Sequence, residues 1–193
     1  MEKAMPEMVP STDFMLDDEV ANKRKHDYLF AKKTKVIENT NNHIFYKAGT
    51  DNEGWYAGYD KRIELLYYLV QYESVQTFLG KAVTQTLIWR WGANMFAMGI
   101  TEKVVFDILL NDFDTIMSDS HHTPDGKKFW ITLLARAERR RLLVALINLK
   151  EKLIIRAERN EPIPLFLKRV SKEAWGDTEN FQNMRFLISK KPI

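Results

Sequence analysis

The chain of 193 residues contains no cysteine. Disulfide bonds, thiolate nucleophiles, and zinc or iron–sulfur centres with cysteine ligands are therefore excluded. No apolar run approaches the roughly 20 residues that span a bilayer. The first residues also lack the apolar core of a secretory signal. We therefore expect a cytoplasmic protein without a membrane partner.

A large excess of charge of one sign is also absent. The 29 lysines and arginines nearly balance 26 acidic residues, which leaves a formal charge of +3. This balance does not by itself indicate nucleic-acid binding. Hydrophobic residues make up 45% of the chain, an ordinary fraction for a globular protein. We predict a flexible arm over residues 1–16 and a single domain over residues 17–193.

The first half of the domain alternates charged or turn-rich segments with apolar strands. Acidic residues followed by cations predict one or two helices between Asp17 and Glu38. Residues 43–47, HIFYK, predict a first strand. The glycines of residues 49–58 predict a loop whose aromatic side chains form either a substrate wall or a cap on a sheet edge. Strands over 62–74 and 83–91 then predict an antiparallel hairpin.

The second half alternates helices and strands. Apolar residues recur with a helical period in residues 99–110. Thr123 and Pro124 are typical of an N-cap and a first helical position. The remaining predicted elements are strands over 115–120, 142–149, 152–156 and 184–191, and a helix over 165–175. Together they predict an α/β fold with a mixed, mostly antiparallel sheet flanked by helices.

This order of elements resembles the GNAT superfamily of acyl-CoA N-acyltransferases over roughly residues 62–190. The resemblance rests on the element order and on residues 119–149. There a strand leads through a polar loop into a helix that begins DGKKFW, and then into an apolar strand. The turn TPDGKKFW is also similar to what we expect in divergent acyltransferase-like proteins of bacteriophages. The resemblance implies a GNAT-like fold and acyl-CoA, in particular acetyl-CoA, as co-substrate.

The resemblance also implies a cofactor site. In that family the pantetheine lies between the fourth and fifth strands, and the pyrophosphate rests on the start of the helix after the fourth strand. Backbone N–H groups and the helix dipole bind anions there. The matching strands are 83–91 and 115–118. The implied cofactor-binding residues are Trp89, Arg90, Trp91, Gly99, Ile100 and Thr101.

The connection between these strands departs from the family pattern. It reads RWGANMFAMGIT, in which Arg90 and Gly92 are too close together for the usual phosphate loop. Only Gly99 lies near the helix. The loop is therefore either remodelled, or the fold has lost the cofactor and kept the scaffold.

The densest polar cluster of the chain is SDSHHTPDG, residues 118–126, just after a predicted strand. N-acyl transfer needs a base for the amine and an acid for the leaving thiolate, and histidine suits either role. The candidate catalytic residues are Asp119, Ser120, His121 and His122. The alternative is that helix capping explains Thr123 and Pro124, and that His121 and His122 are simply exposed loop residues. No metal site is predicted, because no third ligand lies near the two histidines.

Two functions remain open at this point. The first is an N-acyltransferase that moves an acyl group from acyl-CoA to an amine acceptor. The second is a non-catalytic GNAT-like module, encoded by a phage, that binds a host protein or DNA. Cations between Lys23 and Lys35 and between Arg136 and Arg141 favour the second, although helix dipoles also explain them.

Overall fold

The structure, a computed structural model, describes residues 16, 18–32, 34–91, 94–119, 124–175 and 183–192. The chain divides into two compact units. The amino-terminal unit takes in Val9–Ser74 and Gln85–Asp107, and the carboxy-terminal unit takes in Val75–Thr84 and Ile108–Ile193. Within the described residues, no helix is long and apolar enough to cross a membrane. Of the predicted arm, only Leu16 is described, and it is buried.

The amino-terminal unit is built on antiparallel strands that follow one helix. The pairs β1–β2, β2–β3 and β3–β4 are antiparallel, and β5 follows β4 in the sheet. The helix and the strands run as follows: α1 Glu19–Phe30, β1 Thr34–Asn39, β2 His43–Gly49, β3 Glu53–Asp60, β4 Leu65–Thr77 and β5 Gly80–Arg90. Strands β4 and β5 also supply residues to the other unit.

Two segments of this unit differ from the prediction. Thr34–Asn39 is a strand rather than the end of a helix. Its Val36 and Ile37 are β-branched, which favours extended backbone, and its pairing with β2 provides the hydrogen bonds. Glu53–Asp60 is also a strand rather than a glycine-rich loop, because it pairs along its whole length with both β2 and β4.

One face of these strands packs against α1. Alternate residues of β2 and β3, such as Tyr46, Ala48 and Ala57, form a buried cluster with Leu29 of the helix. The Asn22 side chain ties the helix to the sheet: its Nδ2 donates to Leu66 O at 3.1 Å, and its Oδ1 accepts from Leu66 N at 2.6 Å. The helix is therefore held by polar bonds as well as by apolar contact.

His26 is a second anchor of α1. Its ring stacks on Tyr59 with centroids 3.7 Å apart, and its Nδ1 lies 2.9 Å from Tyr46 Oη. Burial lowers the pKa of His26 below its ordinary 6.5, and the nearby Asp27 only partly opposes this. The folded protein therefore keeps this imidazole neutral at a pH where the unfolded chain is already protonated.

We expect stability to fall with pH because of His26. As the pH drops below about 6.5, the unfolded chain takes up a proton that the folded state resists, so the free energy of unfolding decreases by at most about 1.4 kcal/mol per pH unit. Urea unfolding of wild type and His26→Gln between about pH 7.5 and pH 5 measures this. The variant should show the shallower loss, and equal slopes would contradict the assignment to His26.

The carboxy-terminal unit carries the rest of the sheet in the order β5-β6-β9-β7-β8. Strand β6 is parallel to β5, and the pairs β6–β9, β7–β9 and β7–β8 are antiparallel. Its elements are β6 Thr115–Met117, α4 Pro124–Arg139, β7 Leu143–Asn148, β8 Leu153–Arg156, α5 Ile163–Trp175 and β9 Met184–Ser189. The prediction of a mixed, mostly antiparallel sheet flanked by helices is confirmed.

The connection from β5 to β6 is helical from Ile100 to Phe113. It consists of α2 Ile100–Lys103, a π-helical turn Val104–Leu109 and α3 Leu110–Phe113. The predicted apolar face is confirmed, since Val104, Val105 and Leu109 are fully buried. A π-helical turn is uncommon and is often found at functional sites.

Candidate functional site

A cavity of about 340 Å³ lies in the amino-terminal unit, on the sheet face opposite α1. Its floor is formed by Phe45 of β2 and Tyr67 of β4. Its walls come from the segment before α2 and from α2 itself, which contribute Phe96, Gly99 and Lys103 among others. The volume falls within the range of small-molecule sites.

A β-bulge in β4 places Tyr67 at this cavity. Gly58 pairs with Tyr68 and Tyr59 pairs with Leu66, so Tyr67 is the extra residue of β4. Its ring lies across Gly58, where an added Cβ would stand 2.7 Å from the Tyr67 hydroxyl oxygen. Glycine at this position therefore makes room for the ring.

The polar end of the cavity is a cluster of Glu38, His43 and Lys103. A register irregularity between Val36 and Glu38 places Glu38 beside β2. Its Oε1 lies 3.0 Å from His43 Nε2, and its Oε2 accepts a hydrogen bond from the Lys103 ammonium. The Lys103 hydrogen bond, together with the smaller effect of His43, lowers the pKa of Glu38. Glu38 is therefore ionised near neutral pH.

His43 is fixed from both sides of its ring. Its Nδ1 lies 3.2 Å from Thr40 Oγ1, opposite the contact with Glu38. The ring centroid is 4.6 Å from that of Phe96 and 6.3 Å from that of Tyr67. An imidazole held in this way is oriented for proton transfer or for contact with a ligand in the cavity.

The segment that carries Phe96 is anchored by a buried carboxylate. Asp60 is fully buried and accepts from Arg62 Nη2 at 2.7 Å and from Asn94 Nδ2 at 3.0 Å. Asn94 Oδ1 in turn accepts from Phe96 N at 2.9 Å. The Arg62 guanidinium holds the pKa of Asp60 at about 2, well below its usual range. The cavity wall is therefore tied to the end of β3.

The residues predicted to bind the cofactor divide into two groups. Gly99 and Ile100 line the cavity, and Gly99 has a left-handed φ of 70° at the start of α2. Thr101 and Arg90 lie near the Tyr68 hydroxyl. Burial raises the pKa of this hydroxyl, and the two side chains only partly oppose the increase. Of the six predicted residues, Gly99 and Ile100 therefore lie at the cavity.

The two tryptophans have structural contacts. Trp89 packs against the apolar cluster under α1. The backbone N–H of Trp91 donates to Tyr67 O at 3.0 Å, which fixes the strand end beside the bulge. Both side chains are half-buried, and neither lines the cavity.

The predicted catalytic loop is largely outside the described residues, since Ser120, His121 and His122 are not among them. Asp119 is described and half-buried, in the carboxy-terminal unit. It follows Ser118, whose Oγ accepts from Phe186 N at 3.0 Å. Burial lowers the pKa of Arg185, and Asp119 acts in the opposite direction. Asp119 is not one of the residues that line the cavity.

Sequence reasoning missed Glu38, His43, Tyr67 and Lys103. A helical turn that begins at Gly99 places Lys103 near Gly99, so Lys103 was the one detectable member of the set. The others depend on strand register and on two irregularities that no local pattern indicates.

Comparison with family models and with curated sequences does not assign this chain to a family. The chain matches no family model and no curated protein sequence.

Proposed function

We propose that this protein transfers an acyl group from acyl-CoA to an amine through a GNAT-like fold. One observation carries the proposal, namely the parallel pairing of β5 and β6 across a helical connection. Val83 pairs with Ile116 and Thr84 with Met117, and these are the strands that the resemblance matches to the acyl-CoA strands. On its other side, β6 pairs with β9 in the antiparallel direction.

The start of α2 supports a phosphate contact in this proposal. The first backbone hydrogen bond of the helix runs from Lys103 N to Gly99 O, at 3.2 Å. The amides of Ile100 and Thr101 therefore precede the helical ladder, where backbone N–H groups and the dipole favour an anion.

The proposed reaction needs a proton acceptor when the amine nitrogen attacks the thioester carbonyl. The carbon–sulfur bond then breaks, and the thiolate takes up a proton as it leaves. Two groups of residues compete for this role. One is His43, oriented by Glu38 at 3.0 Å. The other is the sequence-predicted set of Asp119, Ser120, His121 and His122.

Calorimetric titration with acetyl-CoA and with a longer acyl-CoA tests the proposal directly. We expect binding to wild type, to His43→Ala and to the double variant His121→Ala/His122→Ala. Turnover with a primary amine should fall about 100-fold in the variant that removes the base. Absence of acyl-CoA binding at millimolar concentration would overturn the proposal.

A specific surface favours the second function, a non-catalytic binding module. Lys25 lies on α1 and Lys32 just after it. Their ammonium groups lie 5.7 Å and 4.4 Å over the exposed Tyr28 ring, and Lys25 also lies 4.1 Å over Trp55. Cations interleaved with rings are typical of single-stranded nucleic-acid surfaces. A gel shift at two salt concentrations separates the functions, because a phosphate contact weakens steeply with salt.

A further inference from the structure

We propose that the cavity of the amino-terminal unit is the acceptor site, and that it takes a small primary amine with a flat aromatic body whose ammonium displaces that of Lys103 from Glu38. The assignment of this amine as acyl acceptor rests on the proposed function. The binding itself rests on the cavity alone.

Two carboxylates lie near the cavity floor. Burial raises the pKa of the Tyr67 hydroxyl, and the charges of Glu38 and Asp60 raise it further. Asp60 is fully buried, whereas the Glu38 side chain, which pairs with His43 and Lys103, is 35% exposed. A carboxylate in partly apolar surroundings favours a cation over an anion.

Aromatic rings line the cavity. Phe96 lies with its centroid 4.6 Å from that of His43 and 5.7 Å from that of Tyr67, and Phe45 completes the floor. The Arg62 guanidinium carbon already lies 4.9 Å from the Phe96 centroid, so this ring attracts a cation within the protein itself. Of these rings, His43 and Phe96 are half-buried and can stack on a flat apolar body. A ring face also stabilises a nearby ammonium.

The Lys103 ammonium occupies the position that the ammonium of a ligand would take. Its Nζ donates to Glu38 Oε2, while its side chain is 48% exposed. An ion pair this exposed contributes little to stability, so the lysine can turn to solvent at little cost. Lys103 therefore competes with an amine ligand, whereas it would assist an anionic ligand.

This competition gives a test in which the direction of the effect identifies the ligand. The probe is tryptamine, compared with its neutral alcohol analogue tryptophol and with the anion indole-3-propionate, by calorimetry in the absence of acyl-CoA. We expect tryptophol to bind about tenfold more weakly than tryptamine. Glu38→Gln should weaken tryptamine about tenfold, and Lys103→Ala should strengthen it several-fold.

Lys23→Ala is the matched control, because it removes an exposed lysine–glutamate pair, with Glu64, outside the cavity. It should leave the affinity for tryptamine unchanged. Thermal unfolding of each variant confirms that the comparison is made between folded proteins. Equal binding of tryptophol and tryptamine, preference for indole-3-propionate, or weaker tryptamine binding by Lys103→Ala would each overturn the inference.

The outcome is distinguishable from that of the proposed function. Acyl-CoA binding without tryptamine binding refutes the amine site and leaves the acyltransferase proposal standing. Tryptamine binding without acyl-CoA binding supports the amine site and refutes the transfer reaction. When both bind, mass spectrometry should detect N-acetyltryptamine formed from acetyl-CoA, and its absence would refute the assignment of the amine as acceptor.

Discussion

Arg62→Ala is expected to lower the free energy of unfolding by about 3 kcal/mol. The substitution removes the cation that pairs with Asp60, whose side chain is fully buried. Two contacts are lost, Arg62 Nε to Asp60 Oδ1 at 3.0 Å and Arg62 Nη2 to Oδ2 at 2.7 Å. The remaining donor from a side chain, Asn94, cannot compensate a buried carboxylate. Urea unfolding near neutral pH measures the loss.

The pH dependence provides a second signature of the same pair. Asp60 has a pKa of about 2 in the folded protein against an ordinary 3.8. Its ionised form therefore contributes about 2 kcal/mol of stability above the ordinary pKa, and this contribution is lost as the pH falls through the folded value. In Arg62→Ala the carboxyl pKa should rise, so the variant lacks this contribution, and its stability deficit relative to wild type should shrink as the pH falls through the folded value.

Two control variants make this prediction specific. Asp60→Asn/Arg62→Ala carries no buried charge and should be more stable than Arg62→Ala alone. Lys23→Ala breaks an ion pair whose side chains are 52% and 62% exposed, and should change stability far less than Arg62→Ala does. If Arg62→Ala were no less stable than Lys23→Ala, the buried carboxylate would not need its partner.

The contrast between β7 and β3 shows which part of the fold was predictable. Residues 143–147 are apolar throughout, and burial on both faces makes the local pattern sufficient. Glu53–Asp60 contains Gly54 and Gly58, which locally predict a loop. In the folded chain each glycine makes room for a tyrosine of β4, Tyr72 and Tyr67 respectively. Cross-strand contacts of this kind depend on register, which a single sequence does not reveal.

The candidate site was predictable to a similar extent. The helix start at Gly99 and Ile100 followed from apolar periodicity, and these residues line the cavity. Glu38 and His43 belong to different strands and meet Lys103 only after pairing. Glu38 also fell in a segment predicted as helix, where its side chain would face elsewhere. Residues far apart in the chain therefore formed the site, and no spacing rule connects them.

Gly58→Ala is expected to destabilise the protein by about 3 kcal/mol and to reduce the cavity. An added Cβ would lie 2.6 Å from Tyr67 Cε2 and 2.7 Å from its hydroxyl oxygen, closer than such atoms approach in proteins. Tyr67 is only 1% exposed, so its ring has little free space around it and would be pushed toward the cavity that it lines. Stability and ligand binding should therefore fall together.

Variants at Tyr67 show whether the ring is the cause. In a Tyr67→Leu background the offending ring atoms are absent, so Gly58→Ala should cost less than half as much there. In a Tyr67→Phe background Cε2 and Cζ remain, and the cost should stay close to that in wild type. Urea unfolding of the single and double variants gives the coupling energy. If Gly58→Ala cost the same with leucine as with tyrosine at position 67, the Tyr67 ring would not be the reason that position 58 requires glycine. The position of Tyr67 in the cavity floor would then not depend on Gly58.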